Sequence, residues 1–214
     1  MIVVNFKAYQ EATGAAAVRL AQACKHVAAA TDVRIVPAVQ AADIRLVASS
    51  VSIPVFAQHV DAVSYGAHTG SLLAETFKEA GAAGSLVNHS EHRVPNERIE
   101  TIVRRLKSLN MIAVVCAKDD TEGAVLAAFE PDYIAVEPPE LIGGSISVST
   151  ARPELISNAV RKISVPVLVG AGIKNGEDVA VAKKLGAQGI LVASGVVKAA
   201  DPETVLKELA EAMQ

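Results

Sequence analysis

The sequence predicts an α/β fold, a closed parallel (β/α)8 barrel, on three observations. Eight short apolar runs alternate with segments of helical periodicity along 214 residues. The runs are continuous rather than alternating, as expected of strands buried on both faces. No Gly-x-Gly-x-x-Gly follows the first run, which counts against a dinucleotide-binding open sheet. A doubly wound open sheet is the structural alternative. Barrels of this kind typically need about 250 residues, so helices and loops must be trimmed. The chain is expected to form one domain over residues 1–214.

The elements follow in order. Residues 2–4 are a β-branched strand, with Asn5 and Lys7 at its end, and Thr13-Gly14 opens a helix with Val18, Ala21 and Ala28 on one side. Residues 33–37 form the second strand, ending at Pro37, and 41–49 the second helix. Residues 55–58 form the third strand, followed by a long loop of small and turn residues over 59–70. A helix over 72–80 leads to strand four, 85–88, and then to His89-Ser90-Glu91. Ile99, Ile102, Val103, Leu106 and Leu109 stripe the next helix at i, i+3, i+4, i+7 spacing. Strand five is 112–116, followed by a helix over 121–129, and strand six is 133–136. Leu155, Ile156, Ala159, Val160 and Ile163 stripe another helix, and 165–170 form strand seven. Asn175 caps the helix after it, with Asp178 three residues on. Strand eight is 189–192, and Asp201-Pro202-Glu203 starts the last helix with a cap, a proline and an acid.

Composition narrows the function. Hydrophobic residues make up 51% of the chain, enough for a sizeable core. A net charge of −3 gives no reason to expect nucleic acid or an anionic membrane as partner. Aromatics are only 3% and Trp is absent, which argues against base stacking. Cys24 and Cys116 make no disulfide framework and suit the cytoplasm. The N-terminus runs directly into a strand, so no leader is expected, and no run reaches the roughly 18 apolar residues of a membrane span. The five histidines, at 26, 59, 68, 89 and 92, lack a recurring ligand spacing, so no metal is expected.

The chemistry gathers at the strand ends, the functional face of such a barrel. Lys7 follows strand one, His89 strand four and Glu137 strand six, so a cation, an imidazole and a carboxylate converge. Glu137 stands at the end of a rigid strand. Pro138-Pro139 then fixes the direction of exit, and Gly143-Gly144 supplies a hinge. That is how a base under a movable lid would be built. The small-residue loops 169–173 and 192–196 expose backbone N–H groups suited to a phosphate. A carboxylate opposite a neutral imidazole suits proton removal beside a carbonyl, with Lys7 and Asn5 stabilising the negative charge on oxygen. The phosphate loops alone also fit other barrels, such as those acting on phosphoribosyl compounds, and a silent barrel kept for binding is the third reading.

Four motifs in order, Asn5-Phe6-Lys7, Gly66-Ala67-His68-Thr69-Gly70, His89-Ser90-Glu91 and Glu137-Pro138, resemble the triosephosphate isomerase family over the whole chain. The resemblance implies a TIM barrel that interconverts dihydroxyacetone phosphate and D-glyceraldehyde 3-phosphate, in glycolysis and gluconeogenesis, without a cofactor. It implies that Glu137 shuttles the proton and that His89 is an electrophile kept neutral by the N-terminus of a short helix after it. This pairing of a Glu base with a neutral His is a known worked case for the family. Lys7 and Asn5 would bind substrate oxygens, with Glu91 a buried carboxylate near Lys7. Gly143, Gly172, Ala193 and Ser194 would hold phosphate through N–H groups, with Ile142 closing over it. Cys116 matches a structural cysteine near the base. Thr69 would tip a loop that reaches into a neighbouring subunit. The short length, the absence of a lid Trp and Ala193-Ser194 in place of Gly-Gly resemble the archaeal branch, which implies a homotetramer rather than a dimer.

Overall fold

The computed structural model describes residues 1–138 and 153–214. Eight parallel strands close into a barrel in chain order: β1 (Ile2–Asn5), β2 (Ile35–Val39), β3 (Phe56–Ala57), β4 (Gly84–Val87), β5 (Ile112–Ala117), β6 (Tyr133–Val136), β7 (Val167–Val169) and β8 (Gly189–Val192). β1 closes the ring by pairing with β8, Val4 opposite Val192. The described helices are α1 (Ala15–Thr31), α2 (Ile44–Ala48), α3 (Ala74–Glu79), α4 (Asn96–Ser108), α5 (Asp120–Ala127), α6 (Pro153–Lys162), α7 (Gly176–Lys184), α8 (Ser194–Val197) and α9 (Pro202–Met213). Among the described residues, no helix is long and apolar enough to cross a membrane.

Successive strand residues feed two cores, which explains the unbroken apolar runs. Val3, Leu86, Val114, Ala135, Leu168 and Leu191 point into the barrel and pack on one another. Their neighbours Ile2, Val4, Val87, Val115, Ile134 and Ile190 point outward against the helices. The α4 stripe buries Ile99, Ile102, Val103 and Leu106, as its spacing predicts, with Leu109 half-buried behind it. Asn175 caps α7, its Oδ1 accepting the Asp178 N–H at 3.0 Å. Asp201 accepts the N–H groups of Glu203 and Thr204, each at 3.2 Å, with Pro202 at the first helical position.

Boundaries move where a local signal was overruled by the ladder. β2 begins and ends two residues later than expected, because pairing continues through Pro37, opposite Val4, to Ala38, opposite Phe56. β3 keeps only two residues. Gln58 leaves it to donate its side-chain amide to the Lys7 carbonyl at 3.0 Å and the Ala38 carbonyl at 3.1 Å. The segment 41–49 opens as a 3-10 turn and only then becomes α2. α5 starts earlier than predicted because Asp119 caps it, accepting the Glu122 N–H at 2.7 Å. The short α8, absent from the sequence reading, follows β8 directly.

Candidate active site

Strand alternation continues past the strand ends and sets the site. Val3 points inward, Phe6 outward, and Asn5 and Lys7 line a cavity of about 380 Å³ at the barrel mouth. Ala135 points inward and Val136 outward, so Glu137 faces the same cavity. His89 arrives differently. Asn88 takes a left-handed φ of 61°, held by its amide donating to the Cys116 carbonyl at 3.0 Å and its Oδ1 accepting the Val94 N–H at 3.0 Å. That reversal turns the imidazole over the barrel. Gly172, Ala193 and Ser194 line the opposite wall, so every expected site residue that is described there meets in one place except Glu91. Ile142 and Gly143 lie outside the described residues.

The central pair is His89 and Glu137, with Nε2 and Oε2 3.5 Å apart and both side chains buried. Oε2 has no hydrogen-bond partner. Burial pushes the Glu137 carboxyl from 4.5 up to about 7, opposed by the positive charge of Lys7 and by the Cys116 thiol beside it. Burial, then the charge of Lys7, lowers His89 from 6.5 to about 4, so the ring is neutral near neutrality. The Glu91 N–H donates to Nδ1 at 3.2 Å. Nδ1 is therefore the acceptor, and the proton of the neutral ring sits on Nε2, facing the cavity.

Two expectations are corrected here. Residues 90–92 form a turn, closed by the His92 N–H on the His89 carbonyl at 2.8 Å, and the next helix begins only at Asn96. Burial first, and then the charge of Lys7, thus stand in place of the expected helix terminus in keeping His89 neutral, while the Glu91 N–H sets the ring's tautomer. Glu91 does stand beside Lys7, Oε1 2.7 Å from Nζ, but its side chain is 59% exposed rather than buried. The turn lifts it above the barrel mouth.

By sequence alone Gly170 is one of the small residues that expose an N–H after strand seven. It does more. Val136 pairs with Val169, so Glu137 lies beside Gly170, and a Cβ there would stand 2.6 Å from Glu137 Cγ and 2.7 Å from Oε1. The missing side chain is the space the carboxylate occupies. The signal in the sequence is a glycine in register with the base on the adjacent strand. Ala171 and Gly172 follow, both at φ 73°, and both line the cavity. Cys116 is buried beside Glu137, its thiol raised well above the ordinary value by burial. Among the described residues, no group of three His, Cys, Asp or Glu side chains is placed to hold a metal ion.

The buried carboxyl has a consequence for stability. Because its folded pKa is raised from 4.5 to about 7, its contribution to stability is full below the unfolded value and is lost as pH rises through about 7. The loss by about pH 8 is on the order of 3 kcal/mol. Glu137→Gln should therefore melt on the order of 10 °C above the wild type near pH 8. The gap should close near about pH 4, which thermal unfolding at the two pH values measures.

The family model described as triosephosphate isomerase matches residues 1–213. The chain is 49% identical over 214 residues to the triosephosphate isomerase of Methanothermus fervidus, covering 98% of this chain and 96% of that one. It is 48% identical to that of Methanothermobacter thermautotrophicus, with 98% and 93% covered, and 44% identical to that of Methanocaldococcus jannaschii, with 98% of each covered. With a closed barrel, a buried carboxylate–imidazole pair at its mouth and a match along its whole length, the chain belongs to the triosephosphate isomerase family.

Proposed function

We propose that the chain interconverts dihydroxyacetone phosphate and D-glyceraldehyde 3-phosphate through an enediolate, with Glu137 as the base. The observation that carries this is the buried, unpartnered Glu137 oxygen facing a neutral His89 whose Nε2 bears the proton. Glu137 takes a proton from one substrate carbon and returns it to the next. His89 Nε2–H donates to the substrate oxygens in turn, and the Lys7 ammonium stabilises the charge that develops there. Asn5 Oδ1 accepts the Lys7 N–H at 3.0 Å, which leaves the Asn5 amide N–H groups for substrate. Backbone N–H groups of Gly172, Ala193 and Ser194 are assigned to phosphate, with Gly143 and Ile142 completing that end. Glu91 acts through Lys7, holding its ammonium. An enediolate phosphate eliminates phosphate in water, which is the physical reason for a lid after Glu137.

The test is turnover of glyceraldehyde 3-phosphate across pH. With the base at about 7 and His89 at about 4, kcat/KM should rise with pH to a plateau above about pH 7. No turnover, or a rate that falls as pH rises through neutrality, contradicts the assignment.

We further propose one domain spanning 1–214, working in the cytoplasm as a homo-oligomer, a tetramer rather than a dimer. Two buried free thiols suit a reducing compartment. The loop carrying Thr69 is exposed over residues 64–71. Beside the site, Lys7, His89, Glu91 and His92 line a second open cavity of about 320 Å³, which a loop of a second copy would fill. Specific activity should fall on dilution in step with dissociation followed by light scattering. Full activity in a dispersed monomer would remove the intersubunit role of Thr69.

A further inference from the structure

We propose that His59 is a positioning residue for His89: its ring, stacked on that of His92, ties the base of the Thr69 loop to the turn that aims His89 at the substrate. The proposal rests on the reading of His89 as the electrophile of the barrel-mouth site.

The turn needs a support that its strand does not give. β4 ends at Val87, and Asn88 then reverses the chain. Asn88 holds the two ends of the turn, through the Cys116 carbonyl and the Val94 N–H. Its middle is closed by two bonds of its own, the His92 N–H on the His89 carbonyl at 2.8 Å and the Glu91 N–H on His89 Nδ1 at 3.2 Å. The second bond sets which ring nitrogen of His89 carries the proton. A shift of residues 91–92 would break both. The His92 ring lies on the His59 ring, with centroids 4.0 Å apart and planes 20° from parallel. A stacked pair of this kind holds a side chain more firmly than its buried area alone would.

His59 is itself held. It is buried just past β3, and its Nε2 lies 3.3 Å from Asp61 Oδ1. A carboxylate only accepts, so Nε2 is the donor and the ring keeps one orientation. Asp61 also grips both backbone groups of Leu72. Its Oδ2 accepts the Leu72 N–H at 2.7 Å, and its own N–H donates to the Leu72 carbonyl at 2.9 Å. That closes the base of the loop carrying Thr69. Burial, then the neighbouring His92, lowers His59 from its ordinary 6.5, so its ring is uncharged in the stack near neutrality. The barrel explains why the two rings meet. β3 pairs with β4, Ala57 opposite Ser85, so the segments that follow them leave side by side. His59, His89 and His92 line one cavity. His59 does not line the cavity that holds Glu137, so its effect on the reaction should pass through His89.

The experiment compares His59→Gln, His59→Phe and His92→Ala with the wild type, each alone and in a His89→Gln background. Steady-state kinetics use glyceraldehyde 3-phosphate at several protein concentrations, with assembly followed by light scattering. Imidazole nitrogen NMR reads the tautomer of His89. His59→Gln keeps a donor for Asp61 but removes the ring, and should lower kcat about tenfold with KM changed less than about twofold. His92→Ala, a change at an exposed side chain, should match it. His59→Phe keeps the ring and should recover most of the loss. His89 should lose its single Nε2–H tautomer in His59→Gln and keep it in His59→Phe. In the His89→Gln background none of the three should lower the rate further. Equal losses with and without His89 would assign His59 a merely structural role and overturn the proposal. So would an unchanged kcat in both ring-deleting variants, a His59→Phe no better than His59→Gln, or a loss that vanishes at higher protein concentration. A His89→Gln variant as active as the wild type would overturn the reading of the electrophile and this proposal together.

Discussion

Glu137→Gln should lower kcat about 10³–10⁴-fold while leaving KM within a few-fold of the wild type. The amide has the shape of the carboxylate but cannot accept a proton from carbon. Its position is set by the β6 strand and by the gap left at Gly170, neither of which changes with the substitution. The phosphate wall is built from the segments after β7 and β8 and does not involve residue 137, so binding should survive. The loss should accompany the gain in stability at high pH, a combination that a misfolded variant cannot show. Steady-state kinetics beside thermal unfolding on the same preparation check it. A loss of less than about tenfold would leave Glu137 without a role as base.

Gly170→Ala should lower kcat about 10²-fold with little change in melting temperature. The new methyl would fall 2.6–2.9 Å from three Glu137 side-chain atoms, closer than atoms can stand. The side chain at the other end of that contact can rotate, so the fold loses little. The carboxylate, however, is pushed from the one position the pocket provides. Displacement of a catalytic group by about 1 Å is enough for an effect of this size. Kinetics with a measured melting curve separate the two quantities. Unchanged kcat would show that the carboxylate works from a second position.

What the sequence disclosed follows from what its residues touch. The barrel is legible because its strands are buried on both faces and so read as unbroken apolar runs. Strand ends are less legible, as at Pro37, where a proline sits within a ladder that continues. Asn5, Lys7 and Glu137 face the cavity by simple continuation of the strands' alternation. His89 reaches the cavity by a route its place after strand four does not spell out: its direction depends on a left-handed Asn88. Gly170 stayed hidden because its role is a contact across two strands, and only the register of β6 against β7 brings it to Glu137. His59 and His92 follow different strands and share no motif, yet the pairing of β3 with β4 stacks their rings. The exposure of Glu91 likewise depends on the turn after β4, which the tripeptide alone does not specify.

In the proposed mechanism one carboxylate moves a proton between adjacent carbons. Isomerisation of glyceraldehyde 3-phosphate in D2O, followed by NMR of the product, tests it most directly. If Glu137 is the shuttle, deuterium from solvent appears on one face of a single product carbon. That incorporation falls with turnover in Glu137→Gln. Rapid isomerisation with no solvent deuterium in the product, undiminished in Glu137→Gln, would mean the hydrogen passes directly between the carbons, and the role given to Glu137 would be wrong.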